Sequence, residues 1–300
     1  MECYQETLTE LNQVIEQSPD DAKEIAHQGE SYRLTGHFEA ALADFDRAIE
    51  LNPTYAWAIA HRGETYYLIK RYEEALADFN RAVTLKPDYS WAIAHRGVSY
   101  ERIERYEEAL ADLNEAIQLN PKYAWAYAYR CRAYEMLRRY EEALIDFDGA
   151  IALDETIIKD WLTERGLLLS LLGRYSEAMA YYGRALQEKP DNHFTLYCIA
   201  FTKTRWQGRG QTQTEIDKAR SVLHSYLKIE ANENVEVRSA ILYELAGLDA
   251  LEGKIDQAIE SLQEAISLHY LPQRRARHDL AWLDLYQNPR FQSLIAEVRT

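Results

Sequence analysis

The sequence predicts an all-α fold in which a unit of two helices is repeated along the chain. The segment YAWAIAHRGETYY at Tyr55–Tyr67 returns as YSWAIAHRGVSYE at Tyr89–Glu101 and as YAWAYAYRCRAYE at Tyr123–Glu135, a step of 34 residues each time. Prolines keep the same step, at Pro19, Pro53, Pro87 and Pro121. A fixed period of this length is typical of proteins that stack one structural unit into a solenoid.

The second copy of the unit shows how each element is predicted. Apolar and small residues three or four apart mark one face of a first helix, from Ala56 to about Ile69. The chain is expected to turn at residues 70–71, and a second helix is expected from about Tyr72 to Leu85. Pro87 ends that helix, because proline cannot continue one. Gly63 is expected where the two helices approach closely.

The spacing of Gly, Tyr, Ala, Phe, Ala and Pro in each copy resembles the tetratricopeptide repeat, a 34-residue helix–turn–helix unit. The resemblance covers nearly the whole chain, and it implies a right-handed superhelical solenoid. It predicts about seven repeats over residues 22–272. The sixth repeat is expected to be degenerate, with an inserted loop at residues 208–214.

The two ends of the chain are predicted to cap the stack, because a terminal repeat would otherwise expose an apolar face. Residues 1–21 are expected to form an N-terminal capping helix, and residues 273–300 a C-terminal cap. The apolar residues assigned to the C-terminal cap are Leu280, Leu283, Leu285, Phe291, Leu294 and Ile295. The abrupt start also suggests a segment of a longer protein.

Composition narrows the range of partners. The chain has 300 residues and a formal net charge of -15 at pH 7. Nucleic acids and anionic membranes are bound largely through Lys and Arg, so we expect neither as a partner.

Cysteine spacing and apolar content bear on the cellular location. Cys3, Cys131 and Cys198 are far apart, and no stretch approaches the ~18 apolar residues of a membrane-spanning helix. These features predict a cytoplasmic protein.

One periodic position departs from the family pattern. Where the family has leucine before the glycine, this chain has Arg62, Arg96, Arg130 and Arg165, and aspartates follow at Asp78, Asp112 and Asp146. We expect each Arg–Asp pair to bridge the two helices of a repeat and to fix their register. In the fifth repeat, Tyr181 stands where the acid should be.

No motif predicts catalysis. The paired acids of the RYEEAL copies fall in the first turn of a helix, where the helix dipole favours negative charge. His61 and His95 recur one repeat apart, and packed helices ~10 Å apart would keep them from sharing a metal ion. There is no P-loop and no nucleophile elbow. We therefore expect no enzyme, no metal and no cofactor.

A second stripe on the first helix of each repeat is the predicted binding surface. Trp57, His61, Glu64 and Tyr67 lie three or four residues apart on it. The resemblance implies that this stripe lines the concave face of the solenoid, and aromatic anchors are frequent binding hot spots. We expect an aromatic-lined groove that binds a peptide or protein segment. The predicted site residues are Tyr55, Trp57, His61, Glu64, Tyr67, Tyr89, Trp91, His95, Arg102, Tyr123, Trp125 and Arg132.

The polar residues of this stripe limit the ligand. Some family members grip a terminal carboxylate with lysine and asparagine, but those positions here are Ala60 and Glu64, Ala94 and Val98, and Ala128 and Arg132. A chaperone tail is therefore not expected. Arg102 and Arg132 are the only cations expected near the groove, against Glu64, Glu101 and Glu135. An extended or helical peptide with apolar, proline or basic side chains fits better.

Three other interpretations stay open at this point. The chain could be a regulatory or sensor arm of a larger bacterial multidomain signalling protein, with its ligand in the same polypeptide. The tryptophans could bind a glycan. The rings could instead pack between neighbouring repeats and stiffen the stack.

Overall fold

The computed structural model describes residues 21–154, 161–229, 234–269, 273, 276–277 and 279–296. The chain divides into two compact units, Met1–Leu153 and Asp154–Thr300. All regular structure in the described residues is helical. The capping helix that the sequence predicts at residues 1–21 lies outside them, apart from Asp21, which caps the first described helix.

The first unit is a series of helix pairs, and each helix packs against the one before it in the chain. The bounds of the second pair, Ala56–Leu68 and Tyr72–Leu85, agree with the prediction from periodicity. The helices are α1 (Ala22–Leu34), α2 (Phe38–Leu51), α3 (Ala56–Leu68), α4 (Tyr72–Leu85), α5 (Ser90–Arg102), α6 (Tyr106–Leu119), α7 (Ala124–Met136) and α8 (Tyr140–Leu153).

The second unit is also built from packed helices. Short 3₁₀ segments occur at Arg209–Gln211 and Leu280–Leu285. The helices are α9 (Leu162–Leu171), α10 (Tyr175–Glu188), α11 (His193–Gln207), α12 (Gln213–Ile229), α13 (Val235–Glu252), α14 (Ile255–Leu268) and α15 (Pro289–Ile295). The assignment of seven repeats and two caps to these helices stays a prediction.

Small residues allow the two helices of a pair to approach closely. A Cβ atom added to Gly97 would lie 3.1 Å from the carbonyl oxygen of Ala109 and 3.1 Å from the Cβ of Asp112. A Cβ atom added to Gly63 would likewise lie 3.1 Å from the Cβ of Asp78. These distances are shorter than ordinary van der Waals contacts, so a side chain at Gly63 or Gly97 would force the neighbouring helix to shift slightly. Cys131 occupies this position in the next repeat.

The turn inside each pair carries one residue in the left-handed region. Glycine meets that requirement at Gly36 and Gly173, but the three central turns use Lys70, Glu104 and Arg138, with φ of 65°, 62° and 58°. Side chains disfavour this conformation, because the Cβ approaches the carbonyl oxygen that follows it. The packing of the helices on both sides holds these turns.

Arginines bridge the helices as the sequence predicts. The Nε and Nη2 atoms of Arg62 donate to the two carboxylate oxygens of Asp78 at 2.7 and 2.6 Å. Arg96 and Asp112 repeat this arrangement, and so do Arg130 and Asp146. In the fifth copy, the Arg165 guanidinium lies 4.7 Å from the ring centroid of Tyr181.

The bridge also joins neighbouring pairs, which periodicity did not predict. The Nη1 atom of Arg62 donates to Asp46 on α2 at 2.6 Å. In the same way, Arg96 donates to Asn80 at 3.1 Å and Arg130 donates to Asn114 at 2.7 Å. Each of these arginines therefore links three helices of the first unit.

The first pair lacks this bridge. Asp44 is the counterpart of Asp78, but Gln28 occupies the place of the arginine. The Asp44 Oδ2 atom is buried and accepts no hydrogen bond within the described part of the chain. Burial raises the pKa of Asp44 to about 6, although Arg47 acts in the opposite direction.

The end of the second unit packs against α13, and Trp282 is its main anchor. Trp282 is fully buried, and its Nε1 donates to the Tyr243 hydroxyl at 3.1 Å. Leu285 and Phe291 are buried as predicted, but Leu283 is 50% exposed, so its assignment to the apolar side was wrong. A 3₁₀ segment turns every third residue to one side, so Trp282 and Leu285 share a buried side that Leu283 does not.

Among the described residues, no helix is both long enough and apolar enough to cross a membrane.

Replacing Arg96 with alanine should lower the free energy of unfolding by about 3–5 kcal/mol, because it leaves the Asp112 carboxylate, 6% exposed, without its partner. Urea unfolding followed by circular dichroism measures this change. The control is Arg105→Ala, which removes an exposed pair with Glu108 and a contact with the Tyr100 ring and should have a smaller effect. Equal losses from the two variants would contradict a structural role for the bridge.

Asp44 should make stability fall as pH rises. Because its pKa is about 6 in the folded protein and 3.8 ordinarily, the folded state holds the proton more tightly between these values. Replacement by asparagine should therefore increase the melting temperature relative to wild type progressively from about pH 4 to pH 6. Gln28→Arg should have a similar effect by supplying the absent guanidinium. A pH-independent difference for both variants would rule out this explanation.

Candidate functional site

The candidate site is a continuous stack of rings on the first helices of the first unit. It consists of Trp57, His61, Trp91, His95, Trp125 and Tyr129, and we call it the aromatic column. Within a helix, each tryptophan packs on the ring four residues later, because residues i and i+4 share a helix face. The centroid distances within helices are 4.0 Å for Trp57–His61, 4.0 Å for Trp91–His95 and 4.2 Å for Trp125–Tyr129.

The column passes from one repeat to the next through histidine. The His61 ring stacks on Trp91 at 4.6 Å with an interplanar angle of 16°, and His95 stacks on Trp125 at 4.5 Å and 23°. Both histidines are thus sandwiched between two indoles. The rings therefore pack between neighbouring repeats, as one of the open interpretations expects, and both faces of Trp91 are covered by histidine rings.

A tyrosine lies beside each tryptophan of the column. Tyr55, Tyr89 and Tyr123, which we call the flanking tyrosines, stack on Trp57, Trp91 and Trp125 at 5.9, 5.8 and 5.7 Å. Burial raises the pKa of Tyr89 and of Tyr123 well above the ordinary value, and the Glu64 carboxylate adds to the effect. Their hydroxyl groups therefore keep their protons and remain hydrogen-bond donors.

The polar atoms of these rings reach solvent. The three tryptophans and the three flanking tyrosines are partly buried. Within the described residues, their indole N–H and phenol O–H groups make no hydrogen bond, and none of these atoms is among the buried polar atoms without a partner. The site therefore presents a row of free donors along the edge of the stacked rings.

Charged residues surround the column at the Trp57 end. His61 Nδ1 lies 3.1 Å from Glu30 and 3.6 Å from Glu64, and Arg33 lies 3.3 Å from Glu64. Burial opposes ionisation of Glu30, but hydrogen bonds from Arg33 and His61 lower its pKa to about 2. Burial raises the pKa of Glu64. Glu30 is therefore a firmly ionised carboxylate beside the first rings of the column.

His95, the counterpart of His61 one repeat later, has a different environment. Burial, with a contribution from the positive charges of His61 and Arg33, lowers the pKa of His95 to about 3. It is therefore neutral at physiological pH and offers one N–H donor and one acceptor nitrogen.

Two arginines lie at the other end of the column. Arg102 Nε donates to the Tyr67 hydroxyl at 2.8 Å, and Arg132 lies over the Tyr129 ring at 5.2 Å. The Glu101 carboxylate, 2% exposed, lies between them, at 3.8 Å from Arg102 and 3.6 Å from Arg132. Both guanidinium groups are thus held in place by a ring and a buried acid.

The structure brings the twelve predicted site residues into one connected set of contacts, and their binding role stays a prediction. Reasoning from sequence missed Glu30, Arg33 and Tyr129. The expectation that Arg102 and Arg132 are the only cations near the groove was wrong, because Arg33 contacts Glu64. Tyr129 stands 34 residues after His95, so the period itself could have identified it.

Outside the aromatic column, a histidine–carboxylate pair and possible metal ligands are further features to consider as functional sites. In the second unit, His193 Nδ1 lies 2.8 Å from the buried Glu244 carboxylate. No group of three or more His, Cys, Asp or Glu side chains suited to a metal ion occurs in the described ranges of the chain.

Family comparisons agree with the repeat pattern. Residues 29–70 match the family model described as TPR repeat. Residues 56–89, 90–123 and 162–192 match models described as Tetratricopeptide repeat. With the stacked helix pairs, these matches show that the chain contains tetratricopeptide repeats.

Solved structures share this fold. A tetratricopeptide repeat protein from Parabacteroides merdae is 16% identical, with 92% of this chain and 97% of that chain covered and a TM-score of 0.66. PilF of Pseudomonas aeruginosa is 19% identical, with 71% and 94% covered and a TM-score of 0.58. A chain of the Cut9–Hcn1 hetero-tetramer of the APC/C is 16% identical, with 78% and 44% covered and a TM-score of 0.62. A comparison with curated proteins gives no match.

Removing one indole from the column should destabilise the first unit. Trp91→Ala should lower the free energy of unfolding by roughly 2–3 kcal/mol, because the side chain is partly buried and both histidine sandwiches lose a ring. Trp91→Phe, which keeps a ring, should cost less. Trp206→Ala, at a tryptophan that is 47% exposed in the second unit, is the control. Chemical denaturation measures the free energy of unfolding of each variant. If Trp91→Ala loses no more stability than Trp206→Ala, the stacking role is contradicted.

Proposed function

We propose that this chain is a protein-interaction module that binds a peptide or protein segment along the aromatic column. The observation that carries the proposal is the row of indole N–H and phenol O–H donors that reach solvent at the edge of the stacked rings. These donors can form hydrogen bonds with a bound partner as well as with water. Rigid aromatic groups bury much area at little entropic cost when a partner docks.

The charges around the column support a polypeptide ligand. Glu30 and Glu64 lie with Arg33 at one end of the column, and Arg102 and Arg132 lie with Glu101 at the other. All of these charged groups are held by contacts with neighbouring side chains. Such fixed charges select the orientation and sequence of a bound segment more than they add to its affinity. The fold is compatible with this role, since the similar chain in the Cut9–Hcn1 hetero-tetramer is part of a protein assembly.

Selection from a phage-displayed peptide library on the purified chain tests the proposal. We expect selected peptides to bind wild type at least tenfold more tightly than the double variant Trp91→Ala/Trp125→Ala, because aromatic anchors dominate binding energies. Isothermal titration calorimetry measures the affinities, and circular dichroism verifies that the variant is still helical.

Two further variants separate binding from stability. Arg132→Glu changes a partly exposed group of the site and should weaken the selected peptides, whereas Arg139→Glu changes an exposed pair with Glu142 away from the column and should not. Selected peptides that bind all four proteins equally would exclude the column as the binding surface.

A further inference from the structure

We propose that the second unit binds a small monocarboxylate with a branched or cyclic apolar body, in a cavity between α10, α11 and α12. The cavity has a volume of about 180 Å³. It lies within the second unit, so the inference depends neither on the aromatic column nor on the function proposed for it.

One side of the cavity is apolar. Its wall is formed by Leu186 on α10 and by Leu196 and Ile199 on α11. Leu196 is buried, and the other two side chains are partly buried. Water finds no hydrogen-bond partner at such a wall, whereas an apolar group is stabilised there by the hydrophobic effect. A cavity of ~150 Å³ holds a benzene ring, so this one accommodates an apolar body of about six carbon atoms.

The other side of the cavity is polar and positively charged. It is lined by Lys203 on α11 and by Thr214, Glu215 and Lys218 on α12. Thr214 and Lys218 are exposed, so the cavity opens to solvent on this side. Two lysines against one glutamate leave an excess of positive charge in the lining, although the whole chain has a formal net charge of -15.

The glutamate of the lining is already paired. Lys203 Nζ donates to Glu215 Oε1, and this hydrogen bond lowers the pKa of Glu215, while burial acts in the opposite direction. By contrast, the Thr214 hydroxyl and the Lys218 ammonium form no hydrogen bond or ion pair with any other described residue. These two residues lie one helical turn apart on the same face of α12, so both donors are available to one ligand group at the opening of the cavity.

A carboxylate complements these groups better than other groups of the same size. Its oxygens only accept hydrogen bonds, and they can accept from the Thr214 hydroxyl and, with the assistance of charge, from the Lys218 ammonium. An amide would lose the attraction between charges, and a cationic group would be repelled by Lys218. With the apolar body against the leucine and isoleucine side chains, one molecule complements both sides of the cavity.

Small molecules test the inference on the purified full chain. The probe is cyclohexanecarboxylate, whose ring supplies the apolar body. Cyclohexanecarboxamide keeps the shape without the charge, cyclohexylmethylammonium reverses the charge, and acetate lacks the apolar body. In ligand-observed NMR titrations at pH 7, we expect the probe to bind about tenfold more tightly than the amide, because charge-assisted hydrogen bonds are about twice as strong as neutral ones. The cation and acetate should bind more weakly than the probe.

Protein variants show whether the probe uses this cavity. Lys218→Met keeps an unbranched side chain and removes the ammonium, so it should weaken the probe about tenfold and leave the amide unchanged. Lys228→Met, at an exposed lysine of the same helix, is the matched control and should change neither ligand. Ile199→Phe should fill part of the cavity and weaken both the probe and the amide. The melting temperature and circular dichroism verify that each variant is folded.

Two results would overturn the inference. The first is a probe that binds no more tightly than the amide or acetate, which includes a probe that does not bind at all. The second is equal affinity of wild type and Lys218→Met for the probe. Neither result affects the function proposed for the aromatic column, since peptide binding there is measured through Trp91 and Trp125.

Discussion

The bridging arginine fixes the register on which the rest of the first unit depends. Its planar guanidinium holds the acid of its own repeat with two hydrogen bonds and a polar side chain of the preceding repeat with a third. A lysine could not form this arrangement, because an ammonium group has no planar fork. Since the same three contacts recur at Arg96 and Arg130, successive helix pairs are placed in the same relation each time.

The aromatic column follows from that register. When each pair is related to the next in one way, the histidine four residues after a tryptophan meets the tryptophan of the following repeat. Stacking covers the faces of the indoles and leaves their edges for other contacts, so the structural role and the proposed binding role use different parts of the same ring. This division explains how a chain can place bulky aromatic groups at its surface in ordered positions.

The two periodic histidines of the column, His61 and His95, have different charged groups around them. His61 lies against two carboxylates, whereas burial keeps His95 neutral, although both are sandwiched between indoles. Val98 stands where Glu64 stands one repeat earlier, so His95 lacks one of the two carboxylates that lie against His61. A repeated scaffold therefore carries a graded surface, acidic near Trp57 and rich in guanidinium groups near Tyr129.

Local sequence alone determined the helix pairs, the glycines of close approach, the Arg–Asp partners and the stripe that holds the candidate site. These features recur with the period or depend on residues close in the chain, so spacing is enough to predict them. Tertiary structure decided the third bond of each arginine, the left-handed conformation of Lys70, Glu104 and Arg138, the sandwiching of His61 and the burial of Trp282. Each of these depends on how neighbouring helices pack, and packing is set by distances between elements that a residue pattern does not contain.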